Sequence, residues 1–137
     1  MSNFKEALDF VLKWEGGYSN DLNDPGGETR FGISKRSYPE LDISKLTLKQ
    51  AEKIYYENYW LKAGCDKLPF PLSICVFDCS VNMGRSRAKE ILDKCYGWQD
   101  YLLLRLYTYS KFKQAKLYFR GWSNRVLDLY MYVKDKE

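Results

Sequence analysis

Residues 72–83 read LSICVFDCSVNM, and apolar side chains lie on nearly every side of the helix that this segment predicts. Pro71 suits the first turn of such a helix, and Gly84 ends it. A helix that is apolar all round belongs in a protein interior, so we expect it to be the central buried helix of the fold. Asp78 is its one charge. That carboxylate is either buried and satisfied by an arginine or by backbone donors, or it lines a cleft.

Further helices are predicted on both sides of this segment. A capping box, in which the cap side chain and a Glu or Gln three residues later bond each other's backbone, predicts helices that begin after Asn3 and after Thr47. We expect the first to end at Trp14 or Glu15 and the second to end before Gly64. Apolar side chains at helical spacing predict four more helices, at about 86–96, 100–109, 111–120 and 122–134.

Residues 18–33 lack the helical period. Asp24-Pro25-Gly26-Gly27 is turn chemistry, since proline fixes φ and glycine supplies positive φ. Short extended pieces around Tyr18 and around Thr29 to Ile33 would then pair as a small β-hairpin flap at about 18–33. The predicted fold is therefore an all-α domain: a helical bundle around the helix at 72–83, with one small flap.

The chain has 137 residues, which suits one domain over 1–137. Within it, residues 1–92 would hold the flap, and residues 93–137 would be a helical part. The formal net charge of +4 favours anionic partners such as nucleic acid, anionic lipid or bacterial cell wall. Aromatic residues make up 17% and can stack on flat ligands such as sugar rings. No apolar run is long enough to span a membrane, and the N-terminus lacks a signal peptide's apolar core, which predicts synthesis in the cytoplasm.

Histidine is absent, which excludes Ser-His-Asp and Cys-His catalysis and any zinc site that uses imidazole. The four cysteines contain no CxxC pair, so we expect reduced, buried thiols, with a Cys65–Cys95 disulfide as the alternative, and neither a metal site nor a cofactor. Chemistry must then rest on carboxylates, thiols, lysine or tyrosine.

Glu15 is the leading candidate among the carboxylates. It lies four residues beyond Val11, on the apolar face of the first helix, and Gly16-Gly17 follows it. An acid there is costly to desolvate unless something compensates for the lost hydration. Two interpretations stay open: an acid held at the floor of a cleft, or an ordinary helix-terminal Glu with a glycine cap.

Glycosidic hydrolysis needs two acids in different environments. Glu15, in apolar surroundings, could keep its proton, while an acid of the polar turn stays ionised. Asp24 is our candidate for the second acid, with Asp21 and Glu28 as competitors, and Thr29 could hold a water or a carboxylate. The alternative for the turn acids is plain turn formation and capping.

These residues carry a resemblance to a known family. The segment EGGYSNDLNDPGGETRFGIS, residues 15–34, resembles the signature of glycoside hydrolase family 108, a family of phage-type, peptidoglycan-cleaving lysozymes (endolysins). The similarity continues at Tyr38-Pro39, Tyr59-Trp60, Phe77-Asp78-x-x-Val81-Asn82-x-Gly84 and Gly121-Trp122-x-Asn124-Arg125. The last of these is similar to the helical, peptidoglycan-binding part that accompanies the family.

The resemblance implies a lysozyme-like fold and N-acetylmuramidase activity, with Glu15 as catalytic acid. It also extends, less directly, to catalytic roles for Asp24 and Thr29, because their spacing is one residue shorter than in other phage lysozymes. Tyr18, Asn82 and Trp122 become candidate substrate-binding residues, and Trp60 is a further stacking candidate; each aromatic has core packing as its alternative. Peptidoglycan would be the partner of a monomeric enzyme that a holin-type pore releases. The rival hypotheses are a lytic transglycosylase and a non-catalytic module that binds cell wall or nucleic acid.

Overall fold

The computed structural model describes residues 2–21, 23 and 26–136. Over these residues the chain is mainly helical, with a small antiparallel sheet between the first two helices. The helices are α1 (Ser2–Glu15), α2 (Leu48–Tyr55), α3 (Leu72–Met83), α4 (Arg85–Lys94), α5 (Trp98–Ser110) and α6 (Ala115–Val133), and the strands are β1 (Tyr18–Ser19), β2 (Thr29–Arg30) and β3 (Ile33–Ser34).

Helix α3 is the central buried helix that the sequence predicts. Its residues from Ser73 to Ser80 are all buried, and α1, α4 and α5 pack against it. At its N-terminal half, Phe77 meets Phe4 of α1 edge-to-face at 5.7 Å between ring centroids, and Trp60 at 5.5 Å. Trp60 is only 4% exposed. It is therefore a core residue, and the alternative role of stacking on a ligand is wrong for this tryptophan.

The flap is a three-stranded antiparallel sheet in the order β1-β2-β3. Tyr18 pairs with Arg30, and Arg30 pairs with Ile33 on its other side. The predicted hairpin between Tyr18 and Thr29 is confirmed. The piece from Thr29 to Ile33 is not extended throughout, because a turn at Phe31-Gly32 ends β2 and Ile33 begins a third strand. The predicted Asp24-Pro25 turn lies outside the described residues. At the tight turn between β2 and β3, Phe31 and Gly32 both have positive φ, +53° and +79°.

Local capping chemistry places α2. The Thr47 Oγ1 atom accepts from the Gln50 backbone N–H at 3.1 Å, and the Gln50 side chain accepts from the Thr47 N–H at 2.8 Å, so this capping box is confirmed. The predicted helix does not continue as a regular α-helix to Gly64. A π-helical turn over Tyr56–Trp60 follows instead. The first capping box is wrong, since α1 begins at Ser2 and Asn3 lies inside it.

The C-terminal region differs from the prediction in one respect. The expected helices at 111–120 and 122–134 are one continuous helix, α6, with Gly121 inside it. An internal glycine costs a helix only about 1 kcal/mol relative to alanine. Buried Val126, Leu129 and Val133 supply far more than that by packing on the core.

No helix among the described residues is both long and apolar enough to cross a membrane. All four cysteines are free thiols, so the Cys65–Cys95 disulfide alternative is not formed.

Candidate active site

Glu15 is the last residue of α1, and the glycines after it turn the chain sharply into the flap. The Gly16 N–H donates to the Leu12 carbonyl at 2.7 Å, and Gly17 has φ +95°. A Cβ at Gly16 would lie 2.5 Å from that carbonyl oxygen, so a side chain does not fit there. The glycine pair therefore ends the helix and leaves the Glu15 side chain at the junction of helix and flap.

The Glu15 side chain is 27% exposed and forms an ion pair. Arg125 Nη1 donates to Glu15 Oε1 at 2.7 Å, from a position 110 residues further along the chain. The sequence predicts apolar surroundings for this acid, but one carboxylate oxygen faces a guanidinium. Arg125 is the compensation that an acid on this helix face requires.

Arg125 is in turn fixed by Asp78 of the central helix. Arg125 Nη2 donates to Asp78 Oδ1 at 2.7 Å, and Arg125 Nε lies 3.1 and 3.2 Å from the two Asp78 oxygens. Arg105 Nη1 donates to Asp78 Oδ2 at 2.7 Å, and the side chains of Asp78 and Arg105 are fully buried. Asp78 is thus a buried acid satisfied by arginines, and Arg125 connects it to Glu15.

The electrostatics of the network keep its core ionised. Burial acts to raise the pKa of Asp78, but the positive charges of Arg105 and Arg125 outweigh burial and hold that pKa below its usual value. Burial acts to lower the pKa of Arg125, and the negative charges of Asp78 and Glu15 raise it overall. Asp78 therefore holds the charged Arg125 guanidinium in a fixed orientation toward Glu15.

Helix α6 also holds the end of α1 through a second residue. Asp128 Oδ2 accepts from Trp14 Nε1 and from Lys13 Nζ, both at 2.8 Å. These two donors and Glu15 are three successive residues of α1. The contacts with Asp128 and Arg125 therefore fix the last turn of the helix, and with it the Glu15 backbone.

The turn between β2 and β3 lies directly against Glu15. The Tyr55 hydroxyl donates to the Phe31 carbonyl at 2.6 Å. A Cβ built on Gly32 would come within 2.8 Å of Glu15 Cβ and 2.4 Å of the Tyr55 hydroxyl. Burial, followed by the Glu15 charge, raises the pKa of Tyr55, so this phenol stays protonated. Only a glycine at position 32 leaves room for the turn of the flap to pack against both the Tyr55 hydroxyl and the Glu15 side chain.

The other predicted site residues lie in two places. On the flap, Tyr18 is 45% exposed, its ring lies 4.7 Å from the Arg30 guanidinium, and its hydroxyl donates to Glu28. Thr29 pairs with Ser19 and Ser34 in the sheet.

Asn82 and Trp122 meet elsewhere, on Tyr109. The Tyr109 hydroxyl accepts from Arg105 Nε at 3.1 Å and donates to Asn82, and its ring stacks on Trp122 at 4.8 Å. None of the hydrogen bonds or ring contacts of Asn82 and Trp122 involves Glu15. Both residues instead contact Tyr109, which bonds Arg105 of the ionic network.

Of the second-acid candidates, Asp24 lies outside the described residues. Asp21 accepts the Asn23 N–H at 2.9 Å, and Glu28 accepts the Tyr18 hydroxyl. Within the described residues, no group of three or more Cys, Asp or Glu side chains has the geometry of a metal site.

Sequence reasoning missed Arg125, Arg105 and Gly32 as parts of this site. A signal for the two arginines is present, because each lies among apolar residues at helical spacing: Arg125 beside Val126 and Leu129, and Arg105 between Leu102 and Leu106. An arginine on an apolar helix face indicates a buried carboxylate partner. Nothing in the sequence names that partner.

A helical bundle around one buried helix, with an acid at a helix end under a small flap, is the architecture of an α-rich, lysozyme-like protein. The sequence model of the family "Glycosyl hydrolase 108" matches residues 8–84, a range that contains Glu15, the flap and α3. The chain belongs to this family of glycosidases. The structure of Brucella abortus SagA has the same fold, with a TM-score of 0.84 at 24% identity over 96% of this chain and 93% of that one. Comparison with curated proteins gives no match.

Proposed function

We propose that the chain is an N-acetylmuramidase, which hydrolyses the β-1,4 bond between N-acetylmuramic acid and N-acetylglucosamine in peptidoglycan, with Glu15 as general acid. The observation that carries this proposal is the half-buried Glu15 carboxylate, held between the flap and a guanidinium that a buried aspartate anchors. Membership of a glycosidase family limits the reaction to glycosidic bonds. The net charge of +4 suits a polymer rich in carboxylates.

The ionic network supports a general-acid role for Glu15. Arg125 holds only Oε1, which leaves Oε2 to donate a proton to the glycosidic oxygen. When the proton leaves, the carboxylate becomes an anion, and Arg125 is already in place to stabilise it. Because Arg125 also neutralises Asp78, its charge is shared between two carboxylates and is not devoted to Glu15 alone.

For the second acid we propose Asp24, which would activate water or stabilise the oxocarbenium-like transition state, with Thr29 as its partner. Asp21 and Glu28 are weaker candidates because each already bonds a group of the flap. Tyr18, exposed beside Glu15 in the chain, is our candidate for stacking on a sugar ring. Asn82 and Trp122 remain candidate substrate-binding residues, and their contacts with Tyr109 support an indirect role in which they shape the site.

The wider biological role follows the family resemblance. We propose a monomeric, phage-type endolysin that is made in the cytoplasm and reaches the cell wall through a holin-type pore. Residues 93–137 would be its peptidoglycan-binding part. Because α5 and α6 also supply Arg105 and Arg125 to the network, this part would serve both wall binding and the catalytic site.

The proposal is tested with a turbidity assay on permeabilised Gram-negative cells. We expect Glu15→Gln to lower the lysis rate by about 10²- to 10⁴-fold, because a general acid contributes about that much. The matched control is Glu57→Gln, the same chemical change at an exposed site, which should leave lysis unchanged. Lysis by Glu15→Gln within a few-fold of wild type would contradict the proposal.

The same assay tests the second acid by comparing Asp24→Asn with Asp21→Asn and Glu28→Gln. We expect only Asp24→Asn to abolish lysis. Mass spectrometry of the digest then identifies the reaction. Reducing-end muramic acid is the product of hydrolysis, whereas anhydro-muramic acid would identify a lytic transglycosylase, the rival that needs Glu15 but no second acid.

A further inference from the structure

A trough with a polar first section and a mixed polar and apolar second section lies beside the π-helical turn that follows α2. Its first section is a cavity of about 230 Å³ lined by Ser37, Tyr38, Asn58, Tyr59, Lys62 and Arg85. A second cavity, of about 420 Å³, shares Lys62 and Arg85 with the first and adds Lys89. The two shared cations therefore stand at the junction of the two sections, where a ligand in either section would meet them.

The charge of this trough is unbalanced. The first section has no carboxylate in its lining, and neither Lys62 nor Arg85 forms an ion pair with a carboxylate of the described residues. Both side chains are exposed. Arg85 Nη1 donates only to the Asn58 carbonyl, at 3.4 Å, which orients the guanidinium and leaves its other donors free. Two free cations around polar side chains favour an anionic ligand that also accepts hydrogen bonds.

The trough begins close to Glu15. The Tyr59 ring, in its lining, packs against the Tyr55 ring at 5.5 Å between centroids. The Tyr55 hydroxyl and Glu15 Cβ both lie within 3 Å of the point that a Cβ at Gly32 would occupy. Burial, with added effects of Tyr38 and of the Glu15 charge, raises the pKa of Tyr59 to about 12. One buried ring, that of Tyr55, therefore separates the lining of the trough from the turn beside Glu15.

We propose that Lys62 and Arg85 bind carboxylates of the peptide stems that branch from the muramic acid residues of peptidoglycan. This inference rests on the proposed function and names the part of the substrate that the site recognises. A stem leaves the glycan sideways and carries carboxylates along a flexible, hydrogen-bonding chain. The Arg85 guanidinium offers paired donors for one carboxylate, and Lys62 supplies a point charge beside it.

The test compares the double variant Lys62→Gln/Arg85→Gln with wild type on two substrates. One is peptidoglycan with intact stems, and the other is the same material after an amidase has removed the stems. We expect KM for the intact material to rise about five- to tenfold, with kcat unchanged, since two exposed charge contacts are lost. On stripped glycan, KM should stay at the wild-type value.

The matched control is Arg87→Gln/Lys111→Gln, which removes the same charge from the opposite side of α4 and should leave both KM values unchanged. A similar KM rise on both substrates, or the same rise in the control variant, would overturn the inference in favour of general charge attraction. No change on either substrate would also overturn it. Thermal melts verify that each variant folds. Lys62→Gln/Arg85→Lys should regain part of the affinity that Lys62→Gln/Arg85→Gln loses, because lysine keeps the positive charge.

A binding measurement separates failure of this inference from failure of the proposed function. A muramyl peptide, a single muramic acid with its stem, is titrated into Glu15→Gln and into Glu15→Gln/Lys62→Gln/Arg85→Gln. Weaker binding to the triple variant supports the trough whatever the reaction is. Equal binding to both, together with cleavage of stripped glycan by wild type, rejects the trough and leaves the muramidase assignment standing.

Discussion

Gly32 controls the position of Glu15, because only a residue without a side chain leaves room for Glu15 at this turn. Its φ of +79° is strained for any other residue, and a Cβ there would overlap Glu15 and the Tyr55 hydroxyl. We predict that Gly32→Ala lowers kcat for peptidoglycan at least tenfold, because even a small displacement of Glu15, the proposed general acid, is costly. The variant should also lose about 1–2 kcal/mol of unfolding free energy.

The matched control for this prediction is Gly64→Ala. Gly64 has φ +75°, but a Cβ there would meet nothing within 4 Å. Gly64→Ala should lose stability because a positive φ is strained for alanine, and it should keep its kcat. If both variants lost kcat equally, crowding at Glu15 would not be the cause.

Arg125 is the second positioning residue of the site. Its guanidinium bonds Glu15 through one nitrogen and Asp78 through the other two, and a lysine ammonium cannot reproduce that fork. We predict that Arg125→Lys lowers kcat about tenfold or more while KM stays near the wild-type value. Arg120→Lys, at an exposed position of the same helix, is the control and should match wild type. A change confined to KM would instead place Arg125 in substrate binding.

The sequence makes Glu15 a candidate because its signals are local: a helical apolar stripe, the acid that continues it, and two glycines. It could not predict the Glu15–Arg125 pair, since those residues are 110 positions apart and no short-range pattern joins them. Gly32 is missed for a related reason. Its requirement comes from Tyr55 and Glu15 on other elements, and not from its own turn alone.

At the scale of elements, short-range chemistry predicted most of the fold. The Thr47 capping box, the buried segment at 72–83 and the flap are confirmed because each is specified by neighbouring residues. The π-helical turn over Tyr56–Trp60 and the third strand were missed. Packing decides both of these: Trp60 turns into the core between Phe4 and Phe77, and Ile33 is buried at the end of the sheet.

Gly121 shows how far a local signal can mislead. It lies between the two helices predicted at 111–120 and 122–134, but α6 continues through it, and a Cβ at this position would meet nothing within 4 Å. We predict that Gly121→Ala raises the free energy of unfolding by about 0.5–1 kcal/mol, measured by urea denaturation, because alanine loses less entropy on helix formation. Activity should not change.

The opposite control is Gly16→Ala, whose Cβ would lie 2.5 Å from the Leu12 carbonyl oxygen. It should destabilise the protein. A loss of stability in Gly121→Ala would mean that α6 needs flexibility at this residue, against the continuous helix described above.

At the scale of the whole molecule, one ionic network joins α1, α3, α5 and α6. The family match ends at residue 84, whereas Arg105 and Arg125 lie beyond it. Residues from 93 onward therefore neutralise the buried acid of the central helix and hold Glu15. A division of the chain at 92/93 stays a prediction, but the first part alone would leave Asp78 buried without either arginine, which is strongly destabilising.

This network predicts how stability depends on pH. The arginines hold the pKa of Asp78 below its unfolded value of about 3.9. The ionised Asp78 therefore stabilises the fold fully above about pH 4, and this contribution is lost as pH falls through the lower, folded-state pKa.

We predict that Asp78→Asn loses about 3–5 kcal/mol of unfolding free energy at pH 7, because two guanidinium groups are left buried beside a neutral side chain. Below pH 4 its stability should fall less steeply than that of wild type. Urea denaturation between pH 3 and pH 7 measures both effects, with Asp66→Asn as an exposed control. If Asp78→Asn were as stable as that control at pH 7, the network would not hold the four helices together.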